Sequence, residues 1–319
     1  TRLGNKFDHL RGRGLMVPFK LAGTNQPVDY KITSDKCFLQ SRLLKLPWPT
    51  RMGFSGIAIQ PECGDFTLKI ETKETFDALT VYYTGDTLEL MSAIGNGDPV
   101  LYDATGIYKA LKISFPDSYT DMELTLKAPE CVAIHGVNAS LGDTGLAYHV
   151  IGNNGATFAT YSMIGGVGED VSEMFEPDLI ILSMGTNEAF NNVTDGEFRQ
   201  SINRLIQELR LSNPEAQFLL VTPQECHRKV KRGRGRRRRT TFQVNSNVKR
   251  LRDIIVAYGR DNGIPVYDWY KVSGGTGASH SWIADKHMNT DHIHLTRSGY
   301  EIHGNLMTDA LLEQLCPSL

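Results

Sequence analysis

The sequence predicts an α/β protein: a parallel sheet covered by helices, with an antiparallel β-sandwich inserted into it. Three observations carry this expectation. Between about residues 24 and 126, apolar and polar residues alternate at period two. Beyond about residue 145, continuous apolar runs take turns with helical stripes. The first ten residues have the spacing of an amphipathic helix, unlike the strands that follow them. A length of 319 residues suits two domains better than one small module. With 40% hydrophobic and 22% charged residues, the chain has a globular composition, not a disordered or collagen-like one. No apolar run approaches the roughly 18–20 residues of a membrane-spanning helix.

Taken in order, the chain opens with Leu3, Phe7 and Leu10 on one side of a helix end. It is therefore expected to begin inside an element of the α/β domain. Residues 1–20 are assigned to that domain, 21–134 to the inserted sandwich and 135–319 to the rest of the α/β domain. In the sandwich, Phe66, Leu68 and Ile70 alternate with polar residues, as do Leu111, Ile113 and Phe115, then Met122, Leu124 and Leu126. Such alternation buries one face of a strand and wets the other. Gly85-Asp86 and Asn96-Gly97-Asp98 supply turns. Ala147–Ile151 and Asp178–Ser183 read as strands, the second continuously apolar, as a doubly covered parallel strand should be. Thr194 and Glu197 have capping-box spacing, ahead of a stripe of Ile202, Leu205, Ile206 and Leu209. Phe218–Thr222 is the next strand, Val244, Val248, Leu251 and Ile255 mark a helix, and Ile264–Asp268 is another strand. A final helix carries Ile302, Leu306, Ala310, Leu311 and Leu315.

A net charge of −2 hides an asymmetry. Nine of the 34 basic residues lie between His227 and Arg239; without them, 25 basic residues face 36 acidic ones. This run reads as a solvated loop between a strand and a helix, as a localisation signal, or as a binding segment for nucleic acid or another anionic polymer. Nucleic-acid binding would call for interleaved aromatics or a reading helix, and the run offers neither. Its preferred functional reading is attraction to an anionic cell-envelope glycan. The five cysteines contain no Cys-x-x-Cys pair, which argues against a zinc ribbon and a disulfide scaffold alike.

Sites in open parallel sheets form at the carboxyl ends of strands. Three segments fall there: Gly152-Asn-Asn-Gly155, Gly185-Thr-Asn187-Glu188 and Asp291-His-Ile-His294. An Asp three residues before a His can fix the imidazole tautomer and stabilise its cation. An Asn amide and a Gly N–H at neighbouring strand ends are suitable donors to a developing oxyanion. Each feature alone is also ordinary turn chemistry. Their order, each at a strand-to-helix junction, is what gives them weight.

Gly185-Thr-Asn187-Glu188 resembles the third conserved block of SGNH (GDSL-type) hydrolases, and Asp291-His-Ile-His294 resembles the last; Gly152-Asn-Asn-Gly155-Ala is similar to the second-block glycine region. Arg11-Gly-Arg-Gly-Leu-Met-Val-Pro18 with Ala22-Gly-Thr-Asn25 resembles the passage into a carbohydrate-binding-module-like sandwich found in peptidoglycan O-acetylesterase-type members. The resemblance covers essentially the whole chain. It implies a three-layer, flavodoxin-like SGNH domain and a serine esterase that removes O-acetyl groups from a glycan without a cofactor. It further implies that His294 is the general base, Asp291 its orienter, and Asn187 and Gly155 the oxyanion donors, with Glu188 standing where an Asp is more usual. A periplasmic or secreted location and an acetylated-glycan partner follow from it too; no nucleic acid and no membrane span are expected.

One block is missing. Gly-Asp-Ser, which supplies the family's nucleophile, occurs nowhere in these residues. Ser162, Ser183, Ser279 and Ser281 lie near site loops, but none follows Gly-Asp. The nucleophile is therefore expected upstream of residue 1. The 319 residues by themselves are expected to be inactive and to need an upstream segment, joined or bound, to complete the sheet. Two other readings stay open: a non-catalytic glycan-binding protein on a hydrolase fold, and a metallohydrolase built on His280, His287, His292 and His294. Trp282 reads either as a sugar-stacking residue at the site mouth or as core.

Overall fold

The computed structural model describes residues 9–25, 27–62, 64–107, 109–232 and 239–315. They gather into two compact units. One holds the described residues up to Asn154 with Met163–Phe175; the other holds Gly155–Ser162 and those from Glu176 onward.

Period-two alternation builds the first unit from β1 (Gly14–Met16), β2 (Tyr30–Ser34), β3 (Phe38–Arg42), β4 (Ile57–Pro61), β5 (Gly64–Gly85), β6 (Glu89–Gly95), β7 (Asp98–Pro99), β8 (Asp103–Ile107), β9 (Ala110–Ala128) and β10 (Val132–Ser140). Their pairing is antiparallel throughout, in the order β3-β4-β10-β5-β9-β6-β7, with β1 beside β10, β2 beside β5 and β8 beside β9. The expected sandwich is thus one continuously hydrogen-bonded ten-stranded sheet. Two strands, β5 with 22 residues and β9 with 19, run through both of its halves and keep the ladder unbroken. Where they do so, the register shifts between the Glu71, Phe76 and Ala78 pairs. The buried parity changes there as well: Phe66, Leu68 and Ile70 give way to Leu79, Val81 and Tyr83, while in β9 Leu111, Ile113 and Phe115 give way to Met122, Leu124 and Leu126. Irregularities of this kind move the buried set from one side of the chain to the other. Asn96-Gly97 makes the two-residue β6–β7 turn, with φ of 55° and 92°, the left-handed pair that such a hairpin requires.

The edges of this unit differ from the assigned boundaries. Gly14–Met16 pairs with Met16↔Val137, Leu15↔Asn138 and Gly14↔Ala139, so residues 14–16 and 135–140, assigned to the α/β domain, lie in the antiparallel sheet. Leu15, Met16 and Val137 are buried there, and apolar burial decides the pairing. The helix end carrying Leu3 and Phe7 lies outside the described residues; Leu10 forms a single parallel bridge with Leu146. Residues 147–151 are not a strand, because beyond that bridge their backbone acquires no ladder, and Tyr148 and Val150 are exposed. A helix, α2 (Val167–Phe175), belongs to this unit, following the short α1 (Phe158–Tyr161) of the other. Within the first unit, Asp170 pairs with the buried Lys109 at 3.1 Å.

In the second unit β11 (Leu179–Ser183), β12 (Gln217–Val221) and β15 (Val266–Tyr267) form a parallel sheet in that order. A 3₁₀ turn, Glu188–Phe190, precedes α3 (Asp195–Ser212). The capping box of α3 is made: Thr194 accepts from the Glu197 N–H, and Glu197 accepts from the Thr194 N–H. Phe198, Ile202, Leu205, Ile206 and Leu209 form its buried stripe. The basic run is not a plain loop. Arg228–Arg232 lies in β13 (His227–Arg232), which pairs with β14 (Arg239–Val244) as an antiparallel hairpin; residues 233–238 lie outside the described residues. Val244 ends that hairpin, so α4 (Ser246–Asn262) starts later than its stripe suggests, capped by the Asn245 side chain. After β15 come α5 (Trp269–Val272), α6 (Ala278–Ala284) and α7 (Arg297–Leu315). Leu219, Val221, Trp269 and Leu295 form a core cluster on which Trp282 also packs, its indole N–H donating to the Ser273 carbonyl. No described helix is long and apolar enough to cross a membrane.

Candidate active site

Two glycine turns of the second unit face one buried carboxylate. Gly185 follows β11 at φ 115°, and a Cβ there would stand 3.2 Å from Pro223 and 3.3 Å from Ile255. Gly155 adopts φ 83° just ahead of α1. Glu188, 4% exposed, accepts from the Phe158 N–H at 2.9 Å with one oxygen and from the Gly185 N–H at 3.1 Å with the other. Burial pushes its carboxyl above the ordinary range, although these backbone donors pull the other way. Asn187 donates one amide hydrogen to the Ala156 carbonyl at 2.8 Å. Its amide nitrogen is thereby held beside the Gly155 turn with a second hydrogen to spare. The Gly155 N–H itself has no acceptor among the described residues. The structure thus brings Asn187 and Gly155 together.

Asp291 and His294 form a second constellation. One Asp291 oxygen accepts from the backbone N–H groups of Ile293 and His294 at 2.9 and 3.0 Å; the other meets His294 Nδ1 at 2.7 Å. Burial works to raise the Asp291 carboxyl, but the bonds from His294 and the two backbone donors hold it below the usual carboxylate range. With Nδ1–H committed to a carboxylate, Nε2 is the free acceptor, and the 65% exposed side chain leaves it open to an incoming hydroxyl. The turn is closed by Asn289, which accepts from His292 N–H through its carbonyl and donates through its own N–H to the His294 carbonyl. Gly299 at the start of α7 permits the close approach of this segment, since a Cβ there would lie 2.1 Å from the His287 carbonyl.

Behind this turn runs a polar chain that sequence reasoning missed. His292 sits at φ 62°, a left-handed conformation in which His is tolerated better than most residues. Its Nδ1 lies 3.0 Å from His227 Nδ1, and its carbonyl accepts from the His227 N–H at 2.9 Å. His227 Nε2 is 3.0 Å from Ser279 Oγ, and Ser279 Oγ donates to Glu225 at 2.6 Å. Glu225 also accepts from the backbone N–H groups of Gly277 and Ser279. The donor order therefore runs His292 to His227 to Ser279 to Glu225, with His227 neutral. Burial and the neighbouring His292 and His280 rings keep His227 below the usual histidine range. Glu225 is likewise held low, its bonds from Ser279 and Gly277 outweighing burial. Contacts between residues 52–65 positions apart build this chain, so no local spacing could have announced it.

The remaining candidates fall elsewhere. Ser279 is 1% exposed with its proton on Glu225, and Ser162 donates to the Phe158 carbonyl. Among the described residues no serine hydroxyl bonds His294. The four histidines of the alternative metallohydrolase reading diverge: His280 faces the Gly277 carbonyl, His287 meets Ser298, His292 stacks on Phe242 and His294 pairs with Asp291. Among the described residues no three His, Cys, Asp or Glu side chains are placed to share one ion.

The family model of GDSL-like lipases and acylhydrolases matches residues 117–302, more than half of the chain. The chain belongs to that family, and its fold is that of an SGNH hydrolase. Among solved structures it is similar to a peptidoglycan O-acetylesterase, at 20% identity and TM-score 0.73, over 97% of this chain and 83% of that one. A GDSL-like lipase from Bacteroides thetaiotaomicron is similar at 19% identity and TM-score 0.37, over 50% and 73% of the two chains. A search of curated protein sequences returns no match.

Proposed function

We propose that the protein is a serine esterase that removes O-acetyl groups from a cell-envelope polysaccharide. The observation that carries this reading is the Asp291–His294 pair, which fixes the imidazole at Nδ1 and leaves Nε2 open. In the proposed reaction a serine Oγ attacks the acetyl carbonyl while His294 Nε2 takes its proton, and Asp291 stabilises the resulting imidazolium. The Asn187 amide and the Gly155 N–H donate to the tetrahedral oxyanion. Collapse expels the sugar oxygen, which recovers the proton from His294. Water, deprotonated by the same nitrogen, then releases acetate from the acyl-serine. By the family resemblance the nucleophilic serine is one that follows a Gly-Asp dipeptide. The acetyl-glycan substrate is supported by the likeness to the peptidoglycan O-acetylesterase. The reading also places the protein in the periplasm or outside the cell and gives the antiparallel unit the task of holding polysaccharide.

Labelling of the full-length protein with a fluorophosphonate, followed by peptide mapping, tests this directly. The expected adduct is on a Gly-Asp-Ser serine, lost in His294→Ala together with hydrolysis of 4-nitrophenyl acetate, by about 10⁶-fold. Unchanged hydrolysis in His294→Ala would sink the assignment. Absence of labelling in a protein that still binds acetylated glycan would favour a non-catalytic binder.

A further inference from the structure

The hairpin of β13 and β14 is a charged surface that the esterase chemistry does not use. Arg228, Lys229, Lys231 and Arg239 are all exposed on it, and none of the four meets a carboxylate among the described residues. In the groove of about 640 Å³ lined by Asp195, Lys249, Arg250 and Asp253, the cations are paired: Arg250 with Asp195, and Lys249 with Asp253. The hairpin has its own groove, of about 530 Å³, lined by Arg228, Lys229, Lys231 and Gln243 and holding no acidic side chain. Six ladder pairs, from His227↔Val244 to Arg232↔Arg239, make the hairpin roughly 17 Å long. Lys229 and Lys231 share one face of it, roughly 7 Å apart.

The base of the hairpin is fastened to the catalytic turn. Phe242 stacks on His292 with centroids 3.8 Å apart and planes 22° apart. His227, the first residue of β13, holds the His292 carbonyl through its N–H and the His292 ring through Nδ1. His292 is two residues from His294. The cationic hairpin and the Asp291–His294 turn are therefore joined through His292. Phe242, the aromatic of the described hairpin, has its ring against His292 and the Lys229 ammonium 5.8 Å from its centroid. Phe242 is 37% exposed, but one face of its ring is covered by His292, which argues for a polymer recognised by charge more than by stacking.

We propose that this hairpin is the docking surface for an anionic polysaccharide, binding its carboxylates with Arg228, Lys229, Lys231 and Arg239 and delivering its ester groups to His294. The destination of the chain rests on the esterase reading; the binding itself does not. Guanidinium and ammonium groups form charge-assisted bonds with carboxylates, and counterion release makes such binding salt-dependent.

The test is binding of the full-length protein to polygalacturonate, measured by calorimetry across a salt series, with dextran as neutral control and oligo-dT as the nucleic-acid rival. Hydrolysis of 4-nitrophenyl acetate is followed in parallel. Arg228→Gln/Lys231→Gln/Arg239→Gln leaves Lys229 on Phe242 and is expected to weaken polygalacturonate binding roughly tenfold or more and to flatten its salt dependence. The charge-preserving Arg228→Lys/Lys231→Arg/Arg239→Lys should retain binding, and ester hydrolysis should be the same in all three proteins. Binding unchanged in the glutamine variant, equal binding of dextran, or tighter binding of oligo-dT would each overturn the proposal. Lost ester hydrolysis in His294→Ala with polyanion binding intact supports the docking surface, whereas intact hydrolysis there removes the esterase reading alone.

Discussion

Glu225→Gln and Glu225→Ala separate the charge of the buried carboxylate from the hydrogen bonds it accepts. One oxygen takes the Ser279 N–H and hydroxyl, and the Gly277 N–H lies 3.0 Å from both oxygens. A glutamine oxygen in the same place keeps all three donors but as neutral bonds, and turns its amide toward the Gly277 N–H. Bonds to a charged group contribute about 1.5–3 kcal/mol and neutral ones about 0.5–1.5, so three weakened bonds cost about 3 kcal/mol. Relief of carboxylate burial returns part of that, leaving about 2 kcal/mol. Alanine leaves the two buried Ser279 donors and the more exposed Gly277 N–H unmade, at about 4 kcal/mol in total. Urea unfolding followed by tryptophan fluorescence reads this unit, because Trp269 and Trp282 both lie in it. With a slope of about 2 kcal/mol/M, the midpoints should fall by about 1 M and 2 M. The folded carboxyl is held below its unfolded value, so the wild-type advantage is full above about pH 4.3 and shrinks as pH falls through the folded pKa. Equal midpoints for all three proteins at neutral pH, or an alanine variant no worse than glutamine, would refute the reasoning.

Three further outcomes are expected. Asp291→Asn keeps the shape of the turn but loses the acceptor that fixes His294, and ester hydrolysis in the full-length enzyme should drop about 10³–10⁴-fold with little change in KM. Gly299→Ala sets a Cβ against the His287 carbonyl; calorimetric melting should show a loss of about 1–3 kcal/mol, with activity falling alongside as α7 shifts. His135 is fully buried, bonded to Thr84, and pushed down to about 4 by burial, with the Ile57 carbonyl bond and Asp170 opposing and Arg51 and Lys109 reinforcing. Its folded pKa lies below the unfolded value, so the antiparallel unit should lose stability as pH falls from about 6.5 to 4, by about 3 kcal/mol, a loss absent in His135→Gln when Trp48 fluorescence is followed.

What could be read from the sequence was local. The α3 capping box needs only Thr194 and Glu197, and the Asp291–His294 pair needs only a three-residue spacing; both are formed. β11 and β12 carry continuous apolar runs and fall within a residue of where those runs lie. The hairpin escaped because β13 is almost entirely basic and β14, Arg239-Thr-Thr-Phe-Gln-Val244, is mostly polar, leaving no apolar period to detect. Residues 147–151 misled for the opposite reason: their apolar run suits a strand, but a strand exists only where a neighbour supplies a ladder. Val244 belongs at once to the period of α4 and to the end of β14, and pairing with His227 decides it. Glu188 looked like a neutral exchange in a known motif, while its contact with Phe158 depends on a loop 30 residues away.

That contact has a thermodynamic consequence. One carboxylate holds both the turn after β11 and the turn before α1, so the two proposed oxyanion donors ride on loops that share this tether in addition to the Asn187–Ala156 bond. Their contributions should not add. Substituting Asn187 and Gly155 separately and together would give a coupling free energy, and shortening Glu188 to Asp should reduce that coupling even though neither donor is changed. A tether of this kind sets the spacing between two groups by the length of a third, so the extra methylene of Glu188 becomes a dimension of the site.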